Sequence, residues 1–182
     1  MGARGNFEQM ASELGKSGWK VMVYLSLGSN LGDRAVNLLE AIHQLGGLGS
    51  VHAVSGFYET EPVEVNSEQP WFLNCVVALD TQICPKQLLE RILSLERAMG
   101  RRRLEPKGPR TIDIDVVFFG DLVIDSRGLT IPHPAMQHRR FVLEPLVEIA
   151  PDVRHPVLKL TARELLAALP AQGAAVRRYQ GG

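Results

Sequence analysis

The chain has 182 residues, 45% of them apolar and 22% charged, and its twenty basic residues balance twenty acidic ones. That size and balance fit one soluble domain with a proper core, and they exclude an overall polycation made for nucleic acid or an anionic membrane surface. Cys75 and Cys84 form neither a disulfide framework nor a metal motif, and no apolar run approaches the ~20 residues of a membrane span, so a reducing, cytoplasmic setting is expected.

Residues 1–20 lack the apolar stretch of a signal peptide and read as a loose extension. The domain is expected over 21–170, with 171–182 as a loose tail. A first strand over 21–27 (VMVYLSL) runs into Gly28-Ser29-Asn30, which reads either as a tight turn or as an anion site near a helix start. The helix that follows carries Ala35, Leu38, Leu39, Ile42 and Leu45 at helical spacing and stops at Gly46-Gly47. A second strand is expected over 51–60. The segment after it has two prolines and no period, which makes a loop long enough to be functional.

A third strand over 71–81 puts Trp71, Leu73, Cys75, Val77 and Leu79 on one face, with Phe72, Asn74, Val76, Ala78 and Asp80 on the other. Asn74 in this apolar run is a buried amide that must find partners, either a local group or the edge of a planar heterocycle. Pro85 suits the first turn of a second helix, with Leu88, Ile92, Leu95 and Met99 as its core stripe and Gly100 as its stop. A basic loop, RRRLEPKGPR, follows.

Then comes TIDIDVVFFG, a fourth strand. Strict alternation puts Ile112, Ile114, Val116 and Phe118 on one face and Thr111, Asp113, Asp115, Val117 and Phe119 on the other. The two carboxylates then lie roughly 6–7 Å apart. Apolar residues on both faces beyond them predict a central strand. Like charges so close repel unless a cation lies between them, and Mg²⁺ takes one or two carboxylates plus phosphate oxygens. Arg110 offers a fork for phosphate, and Arg101, Arg102 and Arg103 lie nearby in sequence.

The element order βαββαβ predicts an α+β, ferredoxin-like core. A C-terminal extension should hold two short strands at 122–125 and 129–132 and a helix over 141–150 with Pro145 near its start. A last helix should be opened by the capping box Thr161-x-x-Glu164. Carboxylates, arginines and a flat pocket together describe phosphoryl transfer, in which positioning and charge neutralisation contribute most.

GPRTIDID, with LGSN at the end of the first strand, FLN in the third and IPHP followed by RRFVLEPL, resembles the 6-hydroxymethyl-7,8-dihydropterin pyrophosphokinases of folate biosynthesis. The resemblance covers about residues 21–152. It implies a monomeric ATP-dependent enzyme that uses two Mg²⁺ ions, passes the pyrophosphoryl group of ATP to the pterin and releases AMP. Asp113 and Asp115 match the family's metal ligands. Arg101, Arg103 and Arg110 match its phosphate-side arginines, Arg101 and Arg110 with a catalytic part, and His133 and Arg139 match nucleotide-side positions. Asn74 matches the residue that reads the pterin edge, Phe72 and Phe141 the aromatic pair that sandwiches the ring, and Thr60 and Val63 loop positions beside it. Glu96 matches an acidic position on the second helix. The chain departs from many relatives at Lys107, Phe72 and Pro134.

Two rival readings share features with this one. RNA-recognition modules have the same βαββαβ order, but their central strands carry exposed aromatics where this chain has carboxylates. Nucleotidyltransferases combine a Gly-Ser turn with Asp-x-Asp as one local unit, whereas here Gly28-Ser29 and Asp113 lie far apart in the chain.

Overall fold

The computed structural model describes residues 19–63, 68–100, 108–171 and 173–181. Among them are β1 (Val21–Ser29), α1 (Arg34–Leu45), β2 (Ser50–Val54), β3 (Tyr58–Thr60), β4 (Phe72–Thr81), α2 (Pro85–Ala98) and β5 (Asp113–Phe119). The chain continues through the hairpin β6 (Ile124–Ser126) and β7 (Leu129–Ile131), a 3₁₀ turn (Met136–His138), α3 (Arg140–Ile149), α4 (Ala162–Ala168) and β8 (Val176–Arg178). The mixed α/β architecture is a six-stranded sheet in the order β5-β1-β4-β3-β8, with β2 also against β4. Every pairing is antiparallel.

Alternation along the strands gives the sheet two apolar faces, and each is covered. Val23, Leu25, Leu27, Leu73, Cys75, Val77 and Leu79 pack under α1 and α2, through Leu38, Ala41 and Leu45 of the first helix and Leu88, Ile92 and Leu95 of the second. Val76, Val117 and Phe118 pack under α3 and α4, through Val142, Leu143, Leu146, Ala162 and Leu165. Leu39, expected in the core stripe of α1, is instead exposed. The capping box at Thr161 closes in both directions.

Several sequence expectations change. The single strand expected over 51–60 is broken at Ser55-Gly56-Phe57, where the Ser55 hydroxyl accepts the Val76 N–H and replaces a ladder bond. Pro145 lies well inside α3 rather than near its start. β5 ends the strand order instead of lying at its centre. Both its faces are apolar because helices cover both, and its outer edge is satisfied by other means. The Ile114 N–H donates to Glu96 at 2.7 Å, and the His133 N–H donates to the Val117 carbonyl at 3.1 Å. Strict alternation also fails within β5. The register shifts between Tyr24 and Leu25, so Val117 is an extra residue, Phe118 joins Val117 on the α3 face, and Phe119 turns to the α1/α2 face.

The tail expected to be loose after residue 170 is also corrected. Val176–Arg178 extends the sheet along β3, pairing Tyr58 with Arg178 and Thr60 with Val176. Two arginines on a short strand give no apolar signal. What holds it is acidic side chains elsewhere: Arg177 meets Glu59 at 2.8 Å and Arg178 meets Glu148 at 3.0 Å.

Candidate active site

Antiparallel register sets the floor of the site. Asp113, Gly28, Asn74 and Tyr58 form one row across β5, β1, β4 and β3, while Asp115 and Ser26 lie in the next. These side chains share a face, the one that α3 covers further along. Gly28 keeps the row open: a Cβ there would lie 2.7 Å from Asn74 Oδ1 and 3.6 Å from Phe72 Cδ1. Thr60, Phe72 and Asn74 converge with Asp113, Asp115, Arg110, His133, Arg139 and Phe141 on one cavity of about 270 Å³, and Val63 adds to its wall. Every metal, phosphate, nucleotide and pterin candidate that the resemblance implies within the described residues thus lines one space, while Glu96 lies outside it; Arg101 and Arg103 lie outside the described residues. Ser26 and Glu61, which the sequence did not single out, also line it, as does Gly28, which the sequence offered only as part of a turn or anion site. The cross-strand register places two of them, Ser26 opposite Asp115 and Gly28 opposite Asp113.

Gly28 and Ser29 belong to β1, not to a turn, and Asn30 is committed to structure. Its N–H donates to the Arg110 carbonyl at 3.1 Å, and its Oδ1 accepts the Arg110 N–H at 2.8 Å. Its Nδ2 donates to the Pro70 carbonyl at 3.2 Å. LGSN therefore staples the approaches to β4 and β5 together, and the anion reading of this segment lapses.

Two arginines flank the carboxylates. Arg110 meets Asp113 at 2.9 Å and lies over the Phe72 ring at 5.5 Å. Arg139 lies 3.9 Å from Asp115 and over the Phe141 ring at 5.6 Å. Each guanidinium thus bridges one carboxylate and one aromatic ring. Both Nε–H groups are buried and without a hydrogen-bond partner among the described residues, so each guanidinium carries an unmet donor.

Asp115 keeps 40% of its side chain open to the cavity, yet the surrounding wall strips water from it. That burial, and then the charge of Asp113, push its pKa up to about 6. His133 Nε2 lies 3.8 Å from the same carboxylate. Its Nδ1 accepts the Ala135 N–H at 3.2 Å, which assigns the ring proton to Nε2. Burial first, and the Arg139 charge second, hold the pKa of His133 below the ordinary range. Asn74 Nδ2 donates to Thr60 Oγ1 at 2.7 Å, which fixes the amide's orientation.

Among the described residues no group of three or more His, Cys, Asp and Glu side chains could hold a metal. Two hard, like-charged carboxylates do fit Mg²⁺, which commonly completes its shell with phosphate oxygens and water. No helix among the described residues is long and apolar enough to cross a membrane.

The model of a family described as 7,8-dihydro-6-hydroxymethylpterin-pyrophosphokinase matches residues 24–151. A 2-amino-4-hydroxy-6-hydroxymethyldihydropteridine pyrophosphokinase of Methylorubrum extorquens is 43% identical over 152 residues, 82% of this chain and 94% of that protein. The folic acid synthesis protein fol1 of Schizosaccharomyces pombe is 43% identical over 161 residues, 87% of this chain but 21% of that protein. The chain therefore spans about a fifth of such longer relatives. Among solved structures, wild-type HPPK-DHPS of Plasmodium falciparum with pterin and p-hydroxybenzoate shares the fold at a TM-score of 0.66 and 21% identity, over 84% of this chain and 42% of that one.

Proposed function

This chain belongs to the 7,8-dihydro-6-hydroxymethylpterin-pyrophosphokinase family, and from that premise we propose that it transfers the pyrophosphoryl group of ATP to 6-hydroxymethyl-7,8-dihydropterin and releases AMP, a step of folate biosynthesis. The observation that carries the reading is one cavity lined both by the carboxylates Asp113 and Asp115 and by Asn74, Phe72 and Phe141.

In the reaction the pterin's hydroxymethyl oxygen bonds to the β-phosphorus of ATP. The bond from that phosphorus to the bridging α-oxygen breaks, AMP keeps the electron pair, and the hydroxyl proton passes to solvent. Phe72 and Phe141 hold the flat ring, and the oriented Asn74 amide reads its edge. Thr60, through its bond to Asn74, and Val63 complete that wall. Arg110 and Arg139 turn their unspent donors toward phosphate oxygens, and Arg101 and Arg103 act on the same phosphates. His133 stays neutral and presents its Nε2–H on the nucleotide side. Asp113 and Asp115 would hold two Mg²⁺ ions, which neutralise phosphate charge when bound with the nucleotide.

The finer readings are part of the same proposal: a ferredoxin-like core, supported by the order β5-β1-β4-β2/β3, in a monomeric cytoplasmic enzyme that binds no nucleic acid.

The test is AMP release from ATP and Mg²⁺, with and without the pterin, beside the variant Asp115→Ala. Pterin-dependent AMP that disappears in the folded variant is expected. ADP as product would overturn the reading in favour of transfer at the γ-phosphorus.

A further inference from the structure

The family match ends at residue 151, yet β8, at Val176–Arg178, backs the wall of the cavity. Thr60, Glu61 and Val63 line that wall at the start of the β3–β4 connection, and Phe72 lines it at the end. Both ends are tied to the C-terminal segment. At the start, the Glu61 N–H donates to the Ala175 carbonyl at 3.2 Å, and the Ala175 N–H donates to Glu61 Oε2 at 2.9 Å. At the end, the Arg177 guanidinium lies over the Trp71 ring at 4.7 Å, one residue before Phe72.

Arg177 also donates through Nε to Glu59 Oε2 at 3.0 Å. The other oxygen of Glu59 accepts Arg34 at 2.7 Å, and Arg34 donates to the Trp71 carbonyl at 2.9 Å. Glu59 is thus the centre of a closed circuit that joins β3, β8, the start of α1 and the entry to β4. The circuit lies on the side of the sheet opposite the cavity, because Glu59 alternates with Tyr58 and Thr60. It touches no candidate ligand. What it ties together, behind the ladder pair of Thr60 and Phe72, is the residue before Thr60 and the residue before Phe72.

We infer that Arg177 is a positioning residue for the pterin end of the cavity, clasping both ends of the β3–β4 connection through Glu59 and Trp71. This inference rests on the pyrophosphokinase reading above. It concerns the pterin side, since Glu59 and Trp71 adjoin Thr60 and Phe72, whereas Asp113 and Asp115 lie across the sheet on β5.

The experiment compares wild type, Arg177→Ala and Arg177→Lys in steady-state kinetics with each substrate varied. Calorimetric binding of the pterin in the presence of a non-hydrolysable ATP analogue and Mg²⁺ gives a second readout. The Arg177 side chain is 65% exposed, so its removal leaves the core intact. Arg177→Ala should raise the pterin KM and Kd by about tenfold, with the ATP KM and kcat held within about twofold. Lysine keeps the charge beside Glu59 but loses the planar stack on Trp71, so it should fall between the two. Equal pterin affinity in all three proteins would overturn the clasp while leaving the pyrophosphokinase reading intact. An equal loss for both substrates would make Arg177 a general stabiliser instead. A wild type that binds no pterin would remove the reading of the site, and this inference with it.

Discussion

Glu96, 2% exposed on α2, accepts the backbone N–H of Ile114 at 2.7 Å, on the residue that separates Asp113 from Asp115. A buried carboxylate thereby closes the outer edge of β5 at the point where two functional carboxylates must be held. The sequence resemblance marked Glu96 only as an acidic position. The pairing shows what the side chain does there. An edge strand with an open N–H at Ile114 could take water or slip, and the carboxylate pair would move with it.

Glu96→Ala should leave the Ile114 N–H buried without this acceptor, at a cost of about 1–3 kcal/mol. For a chain of this size that lowers Tm by roughly 3–10 °C. Turnover below the transition should fall as well, because the carboxylates lose their anchor. Glu96→Gln keeps an acceptor oxygen and should recover most of both. Melting curves and AMP release from the two variants check this.

Asp115 gives a pH signature. Its folded pKa, about 6, lies above the ordinary 3.8, so the ligand-free folded protein binds the extra proton more readily than the unfolded chain. Its stability contribution is therefore full at low pH, declines as pH rises between those values, and is lost above about 6. Asp115→Asn removes the charge and should stabilise the ligand-free protein at pH 7.5 by about 1 kcal/mol, a figure discounted for the open side of the group. At pH 4 the gain should vanish, while activity is lost throughout. Thermal melts at the two pH values check the sign.

Gly28→Ala tests the floor of the cavity. The new Cβ would lie 2.7 Å from Asn74 Oδ1, and Asn74 is already held by Thr60, so the amide must turn or the strands must part. A stability loss of about 1–3 kcal/mol is expected. Pterin affinity should fall by about tenfold or more as the amide leaves its position, with nucleotide affinity little changed. Calorimetric titration of each ligand separates the two effects.

Metal dependence should follow the nucleotide. Two carboxylates without a third protein ligand among the described residues make a weak site alone. Millimolar Mg²⁺ by itself should move Tm by less than about 1 °C, whereas Mg²⁺ with a non-hydrolysable ATP analogue should raise it by several degrees. Excess EDTA should abolish the second shift.

The part of the candidate site that lies on strands was legible in the sequence because the strand period fixes facing, while Val63, His133, Arg139 and Phe141, off the strands, came only from the family resemblance. Asp113 and Asp115 share a face by simple alternation, as do Phe72 and Asn74, and the cavity gathers all four. The rest was hidden for physical reasons. β5 reads as a central strand because apolar residues occupy both faces, but alternation says nothing about edges, and Glu96 and His133 satisfy this one from elsewhere in the chain. β8 is a polar strand of three residues whose stability comes from Glu59 and Glu148, more than a hundred and about thirty residues away. Gly28 and Ser26 are small residues whose place beside the carboxylates appears only when the register brings them opposite Asp113 and Asp115.

The extra residue at Val117 splits β5 into two halves whose side-chain phases are independent. Upstream of it, removing or adding one residue between Asp113 and the register shift would exchange the carboxylates with Ile114 and drive them into the α1/α2 layer. At Val117 itself the ladder has slack. A chain lacking that one residue would run straight through, with Phe118 still opposite Tyr24 and Asp115 still opposite Ser26. The half of the strand that carries the carboxylates is thus insulated in side-chain phase from the half that fills the core, although losing Val117 would still remove a buried side chain and the carbonyl that accepts the His133 N–H.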